Sequence, residues 1–293
     1  MRRLFLFFLA AIILSSCEKD INFKLNEVDQ KLVVDAEIEN DKAPRVILTR
    51  SQSFFSNISP ELFANAFVRN AEVYISNGTL THKLKEYSFN IVPGIIGYFY
   101  SLDEDNPSTA FLGELNKKYT LKIIADGKEY NSATTIPALS KIPDSIFFKK
   151  TPNNPDETKR AMYVKFTDPK GLGNYVRYYT KKNDEPFLPG FNSVFSDEVI
   201  DGTTYTILVS QGVDRNNLPE DPADNFFTKG DEVTFKFCNI DRSTYLFWNT
   251  WEFAFQSIGN PFSQPGNVLG NISNGALGSF CGYAAWYKTL KVE

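Results

Sequence analysis

Apolar and polar positions alternate along most of this chain in short runs separated by turn residues, a pattern that predicts β-strands. Residues 31–38 (KLVVDAEI) read as a first strand. Residues 45–53 read as a second, with Val46, Leu48 and Arg50 on one face and Ile47 and Thr49 on the other. Residues 54–70 form a Phe- and Asn-rich connection with room for a short helical turn. Residues 71–76 and 79–86 flank Asn77-Gly78, and residues 119–125 and 128–135 flank Asp126-Gly127. Such dipeptides accept the positive φ angles of a type I′ hairpin turn. In the second half, strands are predicted over 145–150, 161–166, 174–180, 191–196, 203–210 and 233–238. One long helix is predicted near 242–258: Asp241 suits the N-cap and Gly259-Asn260-Pro261 a stop. Its apolar stripe, Phe247, Trp251, Ala254 and Ile258 widened by Tyr245, Trp248 and Phe255, predicts packing of the helix on a sheet. Residues 266–282 carry repeated glycines, read as turns and close backbone approaches, before a last strand over 286–292.

The fold class that follows is mainly β. About seven short strands over residues 31–136 fit an immunoglobulin/fibronectin-like β-sandwich, assigned to residues 31–140. Tyr119, just before a strand, is placed like the tyrosine corner of such sandwiches. Ile136-Pro137 and Pro143 bracket a linker, and residues 141–293 form a second β-rich domain carrying the helix.

The first residues break the strand pattern. Arg2 and Arg3 precede an unbroken apolar run over 4–14, which is the layout of a secretory signal peptide, 1–16. Eleven apolar residues are too few to span a bilayer as a helix, which takes about 20. Leu14-Ser15-Ser16-Cys17 resembles the bacterial lipobox, so Cys17 is expected to carry the lipid and residues 17–30 to form a lipidated tether. Glu18, Lys19 and Asp20 resemble a surface-export signal, which puts the expected location at the outer membrane, facing the extracellular side. Removing the signal leaves 29 basic against 35 acidic residues, a net charge of −6, with no electrostatic footprint for nucleic acid.

Candidate chemistry is sparse. One histidine, His82, cannot supply a His-rich metal site, and it reads as an exposed hairpin residue. The sequence holds no G-x-S-x-G elbow, phosphate loop or dinucleotide fingerprint, so no cofactor is expected. Carboxylate groups at Asp103, Glu104 and Asp105, and at Asp197, Glu198 and Asp201, could in principle serve a hydrolase, but such clusters are common on surfaces. Residues 214–217 and 221–225 are oxygen-rich without EF-hand spacing, and no metal site is assigned. Cys238 and Cys281 allow a disulfide in an exported protein, or two buried thiols. Tyr98, Phe99 and Tyr100, and Phe226 and Phe227, are candidate aromatic contacts for a glycan or peptide.

Several stretches together resemble the Bacteroidota outer-membrane lipoproteins grouped as domain of unknown function 4249. They are the lipobox and acidic tether, LVVDAEI, the strand ending in Ile136-Pro137, and Asp168-Pro169-x-Gly171-x-x-Asn174-Tyr175-x-Arg177. Phe195-Ser196-Asp197-Glu198-x-x-Asp201-Gly202 and Asn271-Ile272-Ser273-Asn274-Gly275-Ala276-Leu277-Gly278-x-Phe280 complete the set. The resemblance implies no catalytic residues. It implies a non-enzymatic accessory or capping subunit beside an integral outer-membrane β-barrel, with a TonB-dependent transporter as the favoured partner. Another outer-membrane machine for insertion or secretion, or stand-alone glycan or peptide binding, are the alternatives.

Overall fold

The computed structural model describes residues 29–52, 59, 62, 64–152, 154–219, 225–260 and 266–293. Cys17, Glu18, Lys19 and Asp20 lie outside them, as do eight of residues 54–70, where a short helical turn was expected, and part of the oxygen-rich 221–225 stretch.

The chain is mainly β, as the alternation predicts. The first half runs β1 (Leu32–Glu39), β2 (Arg45–Arg50), β3 (Glu72–Ser76), β4 (Thr81–Lys83), β5 (Lys85–Val92), β6 (Ile95–Ser101), β7 (Lys117–Ala125) and β8 (Lys128–Ile136). The second half runs β9 (Pro143–Lys150), β10 (Lys159–Thr167), β11 (Tyr175–Lys182), β12 (Leu188–Ser196), β13 (Thr204–Val209), β14 (Phe227–Thr228), β15 (Glu232–Ile240), helix α1 (Arg242–Gln256) and β16 (Leu277–Lys291). One eight-stranded sheet, in the order β12-β11-β15-β16-β1-β2-β6-β5, runs through both halves. A four-stranded sheet, β4-β3-β7-β8, covers the first half, and a sheet built on β10 with β9, β13 and β14 covers the second.

The last strand joins the halves. Residues 277–283 of β16 pair in parallel with β1, and residues 283–291 pair antiparallel with β15. The sequence reading began this strand at residue 286, after the glycine-rich stretch, whereas it starts at Leu277. The reading of these glycines as close backbone approaches holds at two of them. A Cβ on Gly278 would lie 2.0 Å from the Val34 carbonyl oxygen, and one on Gly282 would lie 2.5 Å from that of Thr135.

The two predicted hairpins differ. At Asp126-Gly127 both φ angles are positive, 52° and 70°, and Ala125 pairs with Lys128, so this is the two-residue type I′ turn. At Asn77-Gly78 only Gly78 has positive φ. The Asn77 side chain accepts from the Thr79 and Leu80 amides at 3.0 and 2.8 Å, so the loop is four residues and Ser76 pairs with Thr81. The strand predicted over 79–86 is also split. Leu84, whose amide donates to Val73, is the point where the chain leaves the small sheet and enters the large one as β5.

Three apolar clusters follow this layout. The first packs β1 and β2 against β3, β7 and β8, through Val34, Ile38, Leu48, Ile75 and Leu121. Tyr119 is fully buried there, and its hydroxyl accepts from the Glu114 amide at 2.7 Å, as the tyrosine-corner placement predicts. The second packs β11 and β15 against β10. The third lies on the opposite face of the large sheet, under α1. The helix does pack on the sheet, but its buried face is turned from the predicted stripe. Thr244, Phe247 and Glu252 are buried, whereas Ile258, past the last helical turn, is 77% exposed.

Candidate functional site

Each sequence motif that suggested chemistry is engaged in internal contacts, beginning at the linker between the halves. Asp168 directly follows β10, and its carboxylate forms a buried ion pair with Lys141 from the linker, their side chains 0% and 1% exposed. Asp197 directly follows β12 and accepts from the Gly173 and Asn174 amides at 3.1 and 2.9 Å. Burial pushes its carboxyl up, but these donors outweigh that and hold it below the usual range. Asp201 accepts from the Gly171 amide at 2.7 Å, and the Gly202 amide reaches Asp168 at 3.3 Å. The three carboxylates thus converge within 4.8 Å. A metal cage needs free oxygens, whereas here an ammonium and five polar hydrogens already face them. Asn239 completes the lock by accepting from the Lys141 amide and donating to its carbonyl, at 3.0 and 2.8 Å. Of the proposed carboxylate trio, Asp197 and Asp201 meet in this clasp with Asp168, while Glu198 stays on the exposed side of its loop.

The other candidates divide similarly. Asp103 and Asp105 share Lys85 at the surface, and Glu104 is exposed beside them. His82 is not exposed as expected but 1% accessible, since β4 turns it inward. Its Nε2 accepts from the Asp103 amide at 3.0 Å, so Nδ1 carries the proton and donates to Thr109 at 2.8 Å. Burial lowers its pKa against the pull of Asp103, which favours this neutral form.

Tyr100 is buried, its hydroxyl donating to Val68 and held by Glu86 and the Ala71 amide. Tyr98 lies under the Arg69 guanidinium, Phe99 stacks on Tyr87, and Phe227 is fully buried. Cys238 and Cys281 are free, which excludes the considered disulfide. Cys238 pairs across the sheet with Ala285, four residues along β16 from Cys281. At about 3.3 Å per residue that separation is roughly twice what a disulfide spans. Burial pushes the two thiols up, to about 12 and about 11.

Sequence reasoning missed a charged network beneath α1. β12 bulges over residues 189–194, where pairing with β11 loses register. Its freed backbone groups are met by side chains: Glu252 accepts from the Ser193 amide at 3.0 Å and its hydroxyl at 2.5 Å, and Arg215 donates to the Gly190 carbonyl at 3.0 Å. Arg215 also pairs with Glu252 at 2.7 Å. Arg177 is buried beside them, its guanidinium 3.4 Å from the centre of the Trp248 ring, with bonds to Ser193 and to the Tyr283 hydroxyl. A Glu at a helical position otherwise flanked by aromatics was the one available signal. On the same sheet face, Asp35, Glu37 and Glu39 run beside Ser279, Cys281 and Tyr283. Asp35 stays exposed, and the Glu37 side chain is 45% exposed with Arg45 at 3.6 Å. For Glu39 burial is outweighed by Lys236, Lys42 and Tyr287, and its pKa is lowered.

The third motif is also a fastening. Asn271 accepts from the Phe280 amide at 2.8 Å and donates to the Phe280 carbonyl at 2.8 Å, while Ser132 of β8 bonds to it at 2.9 and 3.0 Å. The family described as domain of unknown function (DUF4249) matches residues 18–288, through all three motifs. The chain belongs to the DUF4249 family. Comparison with curated proteins gives no match. Within the matched residues, these three stretches fasten the linker, the loops after β10 and β12, and the last strand. Among the described residues, no helix is long and apolar enough to cross a membrane.

Proposed function

We propose that this protein is a non-enzymatic surface lipoprotein of the Bacteroidota type, lipidated at Cys17, that docks on an integral outer-membrane β-barrel, a TonB-dependent transporter. The observation that carries the reading is a pair of bare aliphatic side chains on braced loops. Leu172 is 70% exposed and Val199 is 94% exposed. Leu172 sits between Gly171 and Gly173, whose amides bond Asp201 and Asp197, and Val199 lies between those same two aspartates in sequence. Apolar groups held rigidly at the surface lose little freedom when a partner covers them, which is what a docking contact needs. The lipid anchor adds to this by confining the protein beside the barrel, raising its effective concentration.

The test is recovery of a barrel protein with the tagged, full-length lipoprotein from native membranes in mild detergent. A TonB-dependent transporter is expected to co-purify, and Leu172→Asp with Val199→Asp is expected to lower its recovery at least tenfold at equal lipoprotein level. Recovery of the lipoprotein alone would overturn the proposal. Recovery of an insertion or secretion barrel instead would reassign the partner.

A further inference from the structure

The second sandwich does not close on one side. β12 and β13 are edge strands of its two sheets, and residues of both line one opening between the sheets. Between them lies a cavity of about 220 Å³. Its floor is Phe166, Phe235 and Phe237, exposed by 1%, 0% and 3%, and its mouth is formed by Phe195, 41% exposed, with Ile200 and Tyr205. The floor rings are closed to water, and a ligand would reach them by displacing the partly exposed Phe195 at the rim.

The lining fixes the chemistry of an occupant. Phe166, Phe195, Phe235 and Phe237 are joined by Tyr178, Tyr205 and aliphatic side chains, and no charged side chain lines the cavity. A charged ligand would lose its hydration there without a counter-charge. Flat rings on two facing sheets leave a slot that suits another ring, packed edge-to-face or offset against them. The hydroxyls of Ser196 and Tyr205 make no hydrogen bond among the described residues, so one polar oxygen on the ligand could be met. Size narrows the class further. The volume exceeds the roughly 150 Å³ of an engineered apolar cavity that binds benzene, and is below the roughly 300–1,000 Å³ of sites for drug-sized ligands. We infer that the cavity between β12 and β13 binds a small, uncharged aromatic group of one or two rings. The site lies behind the loop that carries Val199, but the inference does not rest on docking to a barrel.

Strand alternation supplies the controls. On β13, Tyr205, Ile207 and Val209 face the cavity, and Leu208 faces away, 41% exposed. The full-length protein in detergent is titrated with the uncharged two-ring fluorophore 2-naphthol, and the signal of empty detergent is subtracted. Saturable binding of one equivalent is expected for the unmodified protein and for Leu208→Trp. Ile207→Trp fills the cavity and is expected to weaken binding at least tenfold. Ile200→Trp, in the mouth and outside the regular strands, is expected to do the same without repacking the core, which covers the case in which Ile207→Trp does not fold. Non-saturable uptake by the unmodified protein, or equal affinity in Leu208→Trp and Ile200→Trp, would overturn the inference. Because neither arm involves a partner protein, its failure is distinguishable from failure of the docking proposal.

Discussion

The Lys141–Asp168 pair shows how an acidic residue of a sequence motif becomes structural in the fold. Two opposite charges removed from water are costly, and mutual attraction offsets the cost only while both are present. Asp168→Asn is therefore expected to lower stability by about 3–5 kcal/mol, measured by urea denaturation. Replacing both partners, Lys141→Met with Asp168→Leu, is expected to cost much less, because no buried charge is left alone. The sequence showed the acidic residues but not their partner, since Lys141 lies 27 positions from Asp168 and looks like any linker lysine. His82 was misread for a related reason. Its position after a turn suggested exposure, but the loop is longer than two residues and the strand that follows switches sheets.

Among the elements, α1 depends on Asp241 twice. One carboxylate oxygen caps the helix at the Thr244 amide, 2.8 Å, and the other accepts from the Thr135 amide of β8, 2.9 Å. Loss of an N-cap costs about 0.5–2 kcal/mol. Asp241→Ala is expected to exceed the top of that range, since it also leaves the Thr135 amide without its acceptor. Asp241→Asn keeps the cap but turns its amide NH2, a donor, toward the Thr135 amide, so a loss between those of the wild type and Asp241→Ala is expected in the same urea titration. The cap was legible from Asp241 and the aromatic run after it. The helix face was less so, because a periodic stripe cannot show that Glu252 turns inward to satisfy the bulge in β12. Neither strand alone contains the information that pairing slips between residues 189 and 194.

At the scale of the whole molecule, β16 makes the two sandwiches share one sheet, and the Lys141 clasp fixes the linker between them. Unfolding either half removes neighbours from the other, so a single cooperative transition is expected. All three tryptophans, Trp248, Trp251 and Trp286, lie in the second half, so their fluorescence follows that half while far-UV circular dichroism follows both. Coincident urea transitions by the two probes are expected, and separated midpoints would show that the halves unfold independently. By itself the sequence determined the mainly β class, most strand positions, the Asp126-Gly127 turn, the tyrosine corner and the helix cap. These depend on residues within a few positions of one another, so alternation, turn chemistry and capping are enough to specify them. Only the tertiary structure decided that the glycines of 266–282 lead into a strand shared by both halves, that the acidic motifs are a clasp, and that a slot stays open between β12 and β13. Those features depend on contacts between residues tens to hundreds of positions apart, where close backbone approach, burial and pairing are set by how the sheets meet.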